Sequence, residues 1–258
     1  MMIKILFLFS TLASLTNQAN SLNLPVASAA AATTTTAAVL KDYSGVASGL
    51  FNNMRTPAAL ISGAIVPLGL LSAPQIDEKE CKKMQLLKKA NMLLAIASLL
   101  SEILAITYST VAINKLAEVQ FPHTSGVSEL LSKHFELAWI GSNIHFITGM
   151  FGFGLLVGTK AYFTYEKKVG KIAFCWSIGA FLQCTSIMNQ GISLGQGPVD
   201  GISSRFAKNL FSLMMKYTWL IVKKAKEGSL SFLALAATMY SLFLTIQIII
   251  EAFTDKNE

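Results

Sequence analysis

The sequence predicts an all-α integral membrane protein, a four-helix bundle with one additional interfacial amphipathic helix. Three observations carry this. Hydrophobic residues make up 53% of the 258 and charged residues only 14%, against roughly 25% charged in an average soluble chain, and the mean hydropathy is +0.53. Four apolar runs are each long enough to cross ~30 Å of hydrocarbon. The lysines collect between those runs, where lipid headgroups lie. Too few charges remain to coat a soluble globule of this size. An ordinary soluble enzyme, a disordered regulator and a fibrous protein are thereby excluded.

The net charge is +7, yet only Arg55 and Arg205 are arginines. Bidentate phosphate recognition favours Arg, so the composition argues against a nucleic-acid partner. Cys81, Cys175 and Cys184 have neither metal-ligand nor CxxC spacing. Cys175 and Cys184 sit in an apolar run as small hydrophobes.

Residues 3–15 (IKILFLFSTLASL) form a short apolar core behind Lys4. The run is too short to span a bilayer, for which ~20 residues are needed, and has the length of a signal-peptide core. Ala19 and Ser21 supply small residues for cleavage, so a signal peptide is expected over 1–21. Residues 22–45 are rich in Ala, Ser and Thr, and Asp42 is the first acid in the chain. In composition this segment resembles the second half of the bipartite presequences of algae with secondary plastids. That resemblance implies a plastid membrane. It departs from the pattern at Leu22, where an aromatic residue would be usual, and in lacking Arg. A linker in a protein of the endomembrane system is the alternative.

Residues 46–78 are expected to be irregular to half-buried, because Pro57, Pro67 and Pro74 bracket and interrupt the apolar run 58–73. The spans are expected at 90–113, 135–159, 171–194 and 229–253. Residues 205–226 differ: Lys208, Ser212, Lys216 and Lys223 make a polar stripe, opposed by Phe206, Leu210, Leu213, Met214, Tyr217 and Ile221. Such a helix lies at the membrane interface; the rival is a fifth span with Lys216 buried. Lysine asymmetry does not fix orientation, and neither a 20–50-residue repeat nor a coiled-coil heptad run stands out.

A helix turns ~100° per residue, which places Asn91, Ser98, Glu102 and Ser109 within about 20° of one line. In the third span Gln183, Ser186 and Gln190 share a face, and in the fourth Ser231, Thr238, Ser241 and Thr245 do. Lipid offers a hydroxyl or amide no partner, so these seams predict helices packed on one another. Glu102, Asn91, Ser98, Gln183 and Gln190 form the candidate intramembrane seam, with Gln183 and the fourth span's hydroxyls expected to partner Glu102. On that ground Glu102→Leu should orphan its partners. In the second span Glu136 and Asn143 share a face, while His145 lies opposite among Gly141, Thr148 and Gly152.

His145 is foremost a hydrogen-bonding residue in a tight helix contact. As a cofactor-binding residue it could ligate a tetrapyrrole singly; bis-histidine haem lacks a second membrane histidine, and no cofactor is expected. Gly154 and Gly158 form a GxxxG packing motif. The run GFGLLVG lies inside an apolar span with no preceding strand, so it is not a dinucleotide loop. No nucleophile–base pair, metal cluster or phosphate loop is visible, which argues against an enzyme. The function expected is a non-enzymatic subunit, assembly or structural component of a membrane complex. Its partners would be the lipid bilayer and other membrane subunits or a second copy. A small transporter or channel along the Glu102 seam and a pigment-binding protein are the rivals.

Overall fold

A computed structural model describes residues 40–165, 167–193 and 206–254. The expected signal peptide and most of the 22–45 segment lie outside the described residues. Those residues are helical, apart from short connections and one isolated antiparallel bridge between Lys41 and Thr124. Helices α1 (Ser44–Ile65), α2 (Lys82–Glu118), α3 (Val127–His134), α4 (Glu136–Thr164), α5 (Lys167–Ser193), α6 (Leu210–Ala225) and α7 (Ser229–Thr254) follow in order. A π-helical turn, Val66–Leu71, continues α1.

Among the described residues five helices are long and apolar enough to cross a membrane, as an integral membrane protein requires: Ser44–Leu71, Lys82–Glu118, Glu136–Thr164, Lys168–Gln190 and Ser229–Ile248. Four of them overlap the four expected spans. The fifth corrects the reading of 46–78 as irregular. Pro57 sits inside α1 and Pro67 at the start of the π turn. Proline cannot donate to the helix ladder. Beyond Pro67 the ladder widens to the π pattern, and the Ser72 hydroxyl donates to the carbonyls of Pro67 (2.8 Å) and Leu68 (3.1 Å). Membrane helices tolerate proline through such local adjustments and hydroxyl donors.

The core is made by α1, α2 and α4. The buried residues of α2 are Asn91, Ala95, Ser98, Ser101, Glu102, Ala105, Ser109, Ala112 and Leu116. Apart from Ser101 they alternate in steps of four and three, the 3.5-residue period of left-handed helix packing. A heptad does run along this helix, then, built of small and polar residues rather than large apolar ones. Ala47, Phe51, Met54, Ala58 and Ile65 keep the same period on α1, and Gly149, Gly152 and Leu156 answer it on α4. Small residues let helix backbones approach closely, which is how membrane helices gain packing energy without a hydrophobic drive. Gly69 and Ala95 show the result: a Cβ at 69 would collide with the Ala95 methyl.

Toward the Glu118 end of α2, α3 closes the bundle with Leu130 and Leu131, which join Phe51, Leu116, Phe135 and Trp139 in one apolar cluster. Phe51 meets the edge of Trp139 at 5.6 Å between ring centroids, an arrangement aromatic pairs favour. Outside this core, α5 packs along α4 and α7 runs against α6. Within the most apolar 18-residue stretch of α5, and of α7, no residue is fully buried.

Candidate functional site

The α2 seam and the face of α4 packed on it hold most of the buried polar side chains. Asn91, Ser98, Glu102 and Ser109 are all essentially inaccessible, as their common line on the helix requires. At one end the Thr159 hydroxyl donates to Asn91 Oδ1 at 2.5 Å, a direct bond between α4 and α2. Two turns along, Ser98 donates to its own Leu94 carbonyl at 2.6 Å and occupies the space in front of Gly152, where any Cβ would overlap its hydroxyl.

Glu102 comes next and is fully buried. Its carboxyl lies on Gly149 of α4, and a Cβ there would stand 2.5 Å from Oε1. Neither carboxyl oxygen has a hydrogen-bond partner, and the hydroxyl of Ser109 and the Nδ2 of Asn91 have none either. Buried polar groups are ordinarily bonded, so this is an exception at the centre of the bundle. The expected partners are elsewhere. Gln183, Ser186 and Gln190 lie on exposed positions of α5. Thr238, Ser241 and Thr245 of α7 donate to carbonyls four residues back in their own helix. The expectation that Glu102→Leu orphans partner groups therefore fails in this fold, because none stands beside it. The physical reason is that a hydroxyl in a helix bonds its own i−4 carbonyl and needs no neighbour.

His145 does stand in a tight contact. Its Nε2 is 2.6 Å from the Tyr217 hydroxyl on α6, which in turn is 3.5 Å from the Tyr108 hydroxyl on α2. The Tyr108 ring stacks on the imidazole at 6.0 Å and fills the space before Gly141. The glycine-lined face around His145 is thus occupied by side chains of α2, and Nε2 already faces a hydroxyl.

Glu136 and Asn143, expected on one face, do separate tasks. Glu136 Oε1 pairs with Lys216 Nζ of α6 at 2.6 Å, both side chains about one-third exposed. Asn143 donates to the Trp139 carbonyl at 2.7 Å. The GxxxG divides too: Gly158 packs on Ser177 of α5, whereas Gly154 faces open space.

Sequence reasoning missed Thr159, Tyr108, Tyr217 and the matching of Gly149 to Glu102. The usable signal was the heptad of small residues in α2 set against Gly149, Gly152 and Thr159 at a compatible period in α4. Among the described residues no group of three or more His, Cys, Asp or Glu could hold a metal. No family model matches this chain, no curated protein matches its sequence, and no solved structure matches its fold.

Proposed function

We propose that the chain is a non-enzymatic component of a membrane complex, serving as a subunit, assembly factor or structural protein. The observation that carries this is on α7. Ala234, Ala237, Thr238 and Ser241 form a small-residue row that is exposed along the helix. Small residues spaced by four are the pattern by which membrane helices associate, and here, among the described residues, the row has no helix against it. Its natural occupant is a helix of another subunit or of a second copy. Residues 210–225 suit an interfacial position beside it, since 16 residues reach only ~24 Å, short of ~30 Å of hydrocarbon. The acid-free amino-terminal composition favours a plastid membrane, with the endomembrane system as the alternative. Imaging the tagged full chain decides between them.

The test is the mass of the particle extracted in native nanodiscs. A complex is expected, and joint Ala237→Leu and Ser241→Leu substitution should dissolve it without lowering the monomer's thermal stability. Recovery of the unaltered chain as a lone monomer refutes the reading.

A transporter is the second reading, and Glu102 favours it. Intramembrane acids mark proton and ion pathways, and this one is buried with nothing to hold it. Proton flux in liposomes that disappears in Glu102→Gln, while folding survives, would establish transport. Equal flux in both proteins and in empty liposomes removes it.

A further inference from the structure

We infer that the cleft between α4, α5 and α6 binds an anionic phospholipid, with the headgroup beside Lys208 and the acyl chains on either side of the Phe151–Phe181 pair. Three cavities meet there. The first, about 490 Å³, is lined by Leu182, Thr185, Ser186, Asn189, Gln190, Lys208 and Asn209. The second, about 370 Å³, lies between α2, α4, α5 and α6. It is walled by apolar side chains such as Leu94, Ala97, Ile147, Leu210 and Met214. The third, about 400 Å³, runs along the α4–α5 crevice past Gly154, Val157, Trp176 and Ala180. Each falls within the ~300–1,000 Å³ of ordinary ligand pockets.

Their connections argue for one amphiphile rather than three sites. Thr185 lines both the first cavity and the second. Phe151 and Phe181 line both the second and the third, and their rings are in contact, with centroids 4.2 Å apart. The second channel meets the polar chamber at Thr185, and the third lies across the aromatic pair from the second, which offers one polar end and two apolar channels for the head and two tails of a diacyl lipid. The chamber holds amide and hydroxyl donors and the ammonium of Lys208, and no acidic side chain is among the described residues that line it. Basic pockets between membrane helices take anionic headgroups in this way. The hydroxyls of Ser177 and Thr185 on α5 donate to their own helix carbonyls, so they do not oppose a hydrocarbon chain.

The experiment is native mass spectrometry of the delipidated full chain, titrated with phosphatidylglycerol or with phosphatidylcholine of the same acyl chains. Phosphatidylglycerol should bind about fivefold more tightly, the scale of one lysine near a headgroup. Lys208→Gln should abolish that preference and leave phosphatidylcholine binding unchanged. Ala97→Phe, at an exposed position lining the second cavity, should weaken both lipids equally. Equal binding of the two lipids by the unaltered chain overturns the proposal. So does a Lys208→Gln protein that keeps the preference, an Ala97→Phe protein that binds both lipids unchanged, or glycerol phosphate binding as tightly as the lipid, which would assign the chamber to a free anion.

Discussion

The carboxyl group of Glu102 occupies the volume that a side chain at Gly149 would need, with Oε1 2.5 Å from where that Cβ would stand. Any side chain at 149 must push α4 off α2 or expel the glutamate. Gly149→Ala should cost about 1–3 kcal/mol through overpacking, and Gly149→Val more. Thermal unfolding in a fixed detergent or nanodisc measures it. Gly154→Ala, where nothing lies within reach, is the control and should be neutral.

Glu102 itself should be a site where stability is gained by removing polarity. Its two buried oxygens have no partner, a condition that costs about 1–3 kcal/mol per group. Glu102→Met, unbranched and of similar length, should raise the melting temperature. Glu102→Gln should change it little, because the amide finds the same surroundings. A large loss of stability in Glu102→Met would mean that the carboxyl is bonded after all.

Among the described residues, the Asn91–Thr159 bond is the one direct side-chain hydrogen bond between α2 and α4 within the seam. A double-mutant cycle with Asn91→Ala and Thr159→Ala should yield a coupling of roughly 0.6 kcal/mol, and no more than about 1.7. A coupling of zero would show that Thr159 is satisfied by its own helix, to whose Leu155 and Leu156 carbonyls it also lies 3.0 Å away.

Two side-chain contacts join α6 to α4, Lys216 with Glu136 and Tyr217 with His145. The ion pair is one-third exposed, so solvent screening keeps its worth near ~1 kcal/mol. Lys216→Glu and Glu136→Lys should each loosen α6, and the double exchange should restore it. Tyr217→Phe and His145→Phe should each weaken the dock, and together little more than either alone, since both break one bond. Hydrogen exchange of the α6 amides reads all six variants.

Acid should loosen the start of α3. The Lys133 ammonium, then the hydroxyl and backbone amide of Ser125, hold the Glu129 carboxyl down to about 2. A carboxylate whose folded pKa is depressed stabilises the fold fully above its unfolded value. That contribution is lost as pH falls from about 4.5 through about 2. Amide exchange at Glu129 and Leu130, whose amides bond the Gly126 carbonyl, should rise across that window. In Lys133→Gln the rise should be smaller and complete at a higher pH, because the folded pKa is then less depressed.

By itself the sequence determined the helical class, four of the five candidate spans and the line of buried polar residues on α2. These follow from local quantities: apolar run length against bilayer thickness and the ~100° turn of a helix. Tertiary structure decided the rest. The prolines at 57 and 67 interrupt a helix on paper and are absorbed in fact: Pro57 lies inside α1, and Pro67 opens a π turn whose end is closed by the Ser72 hydroxyl on the Pro67 and Leu68 carbonyls. Three seams looked alike in sequence, yet among the described residues only the one on α2 is fully buried. The α5 seam lies at exposed positions and the hydroxyls of the α7 seam bond their own backbone, so periodicity alone could not tell which would be packed. Lys216 was placed on a solvated stripe and instead meets Glu136, 80 positions earlier in the chain. A pairing at that separation exists only once α4 and α6 lie side by side.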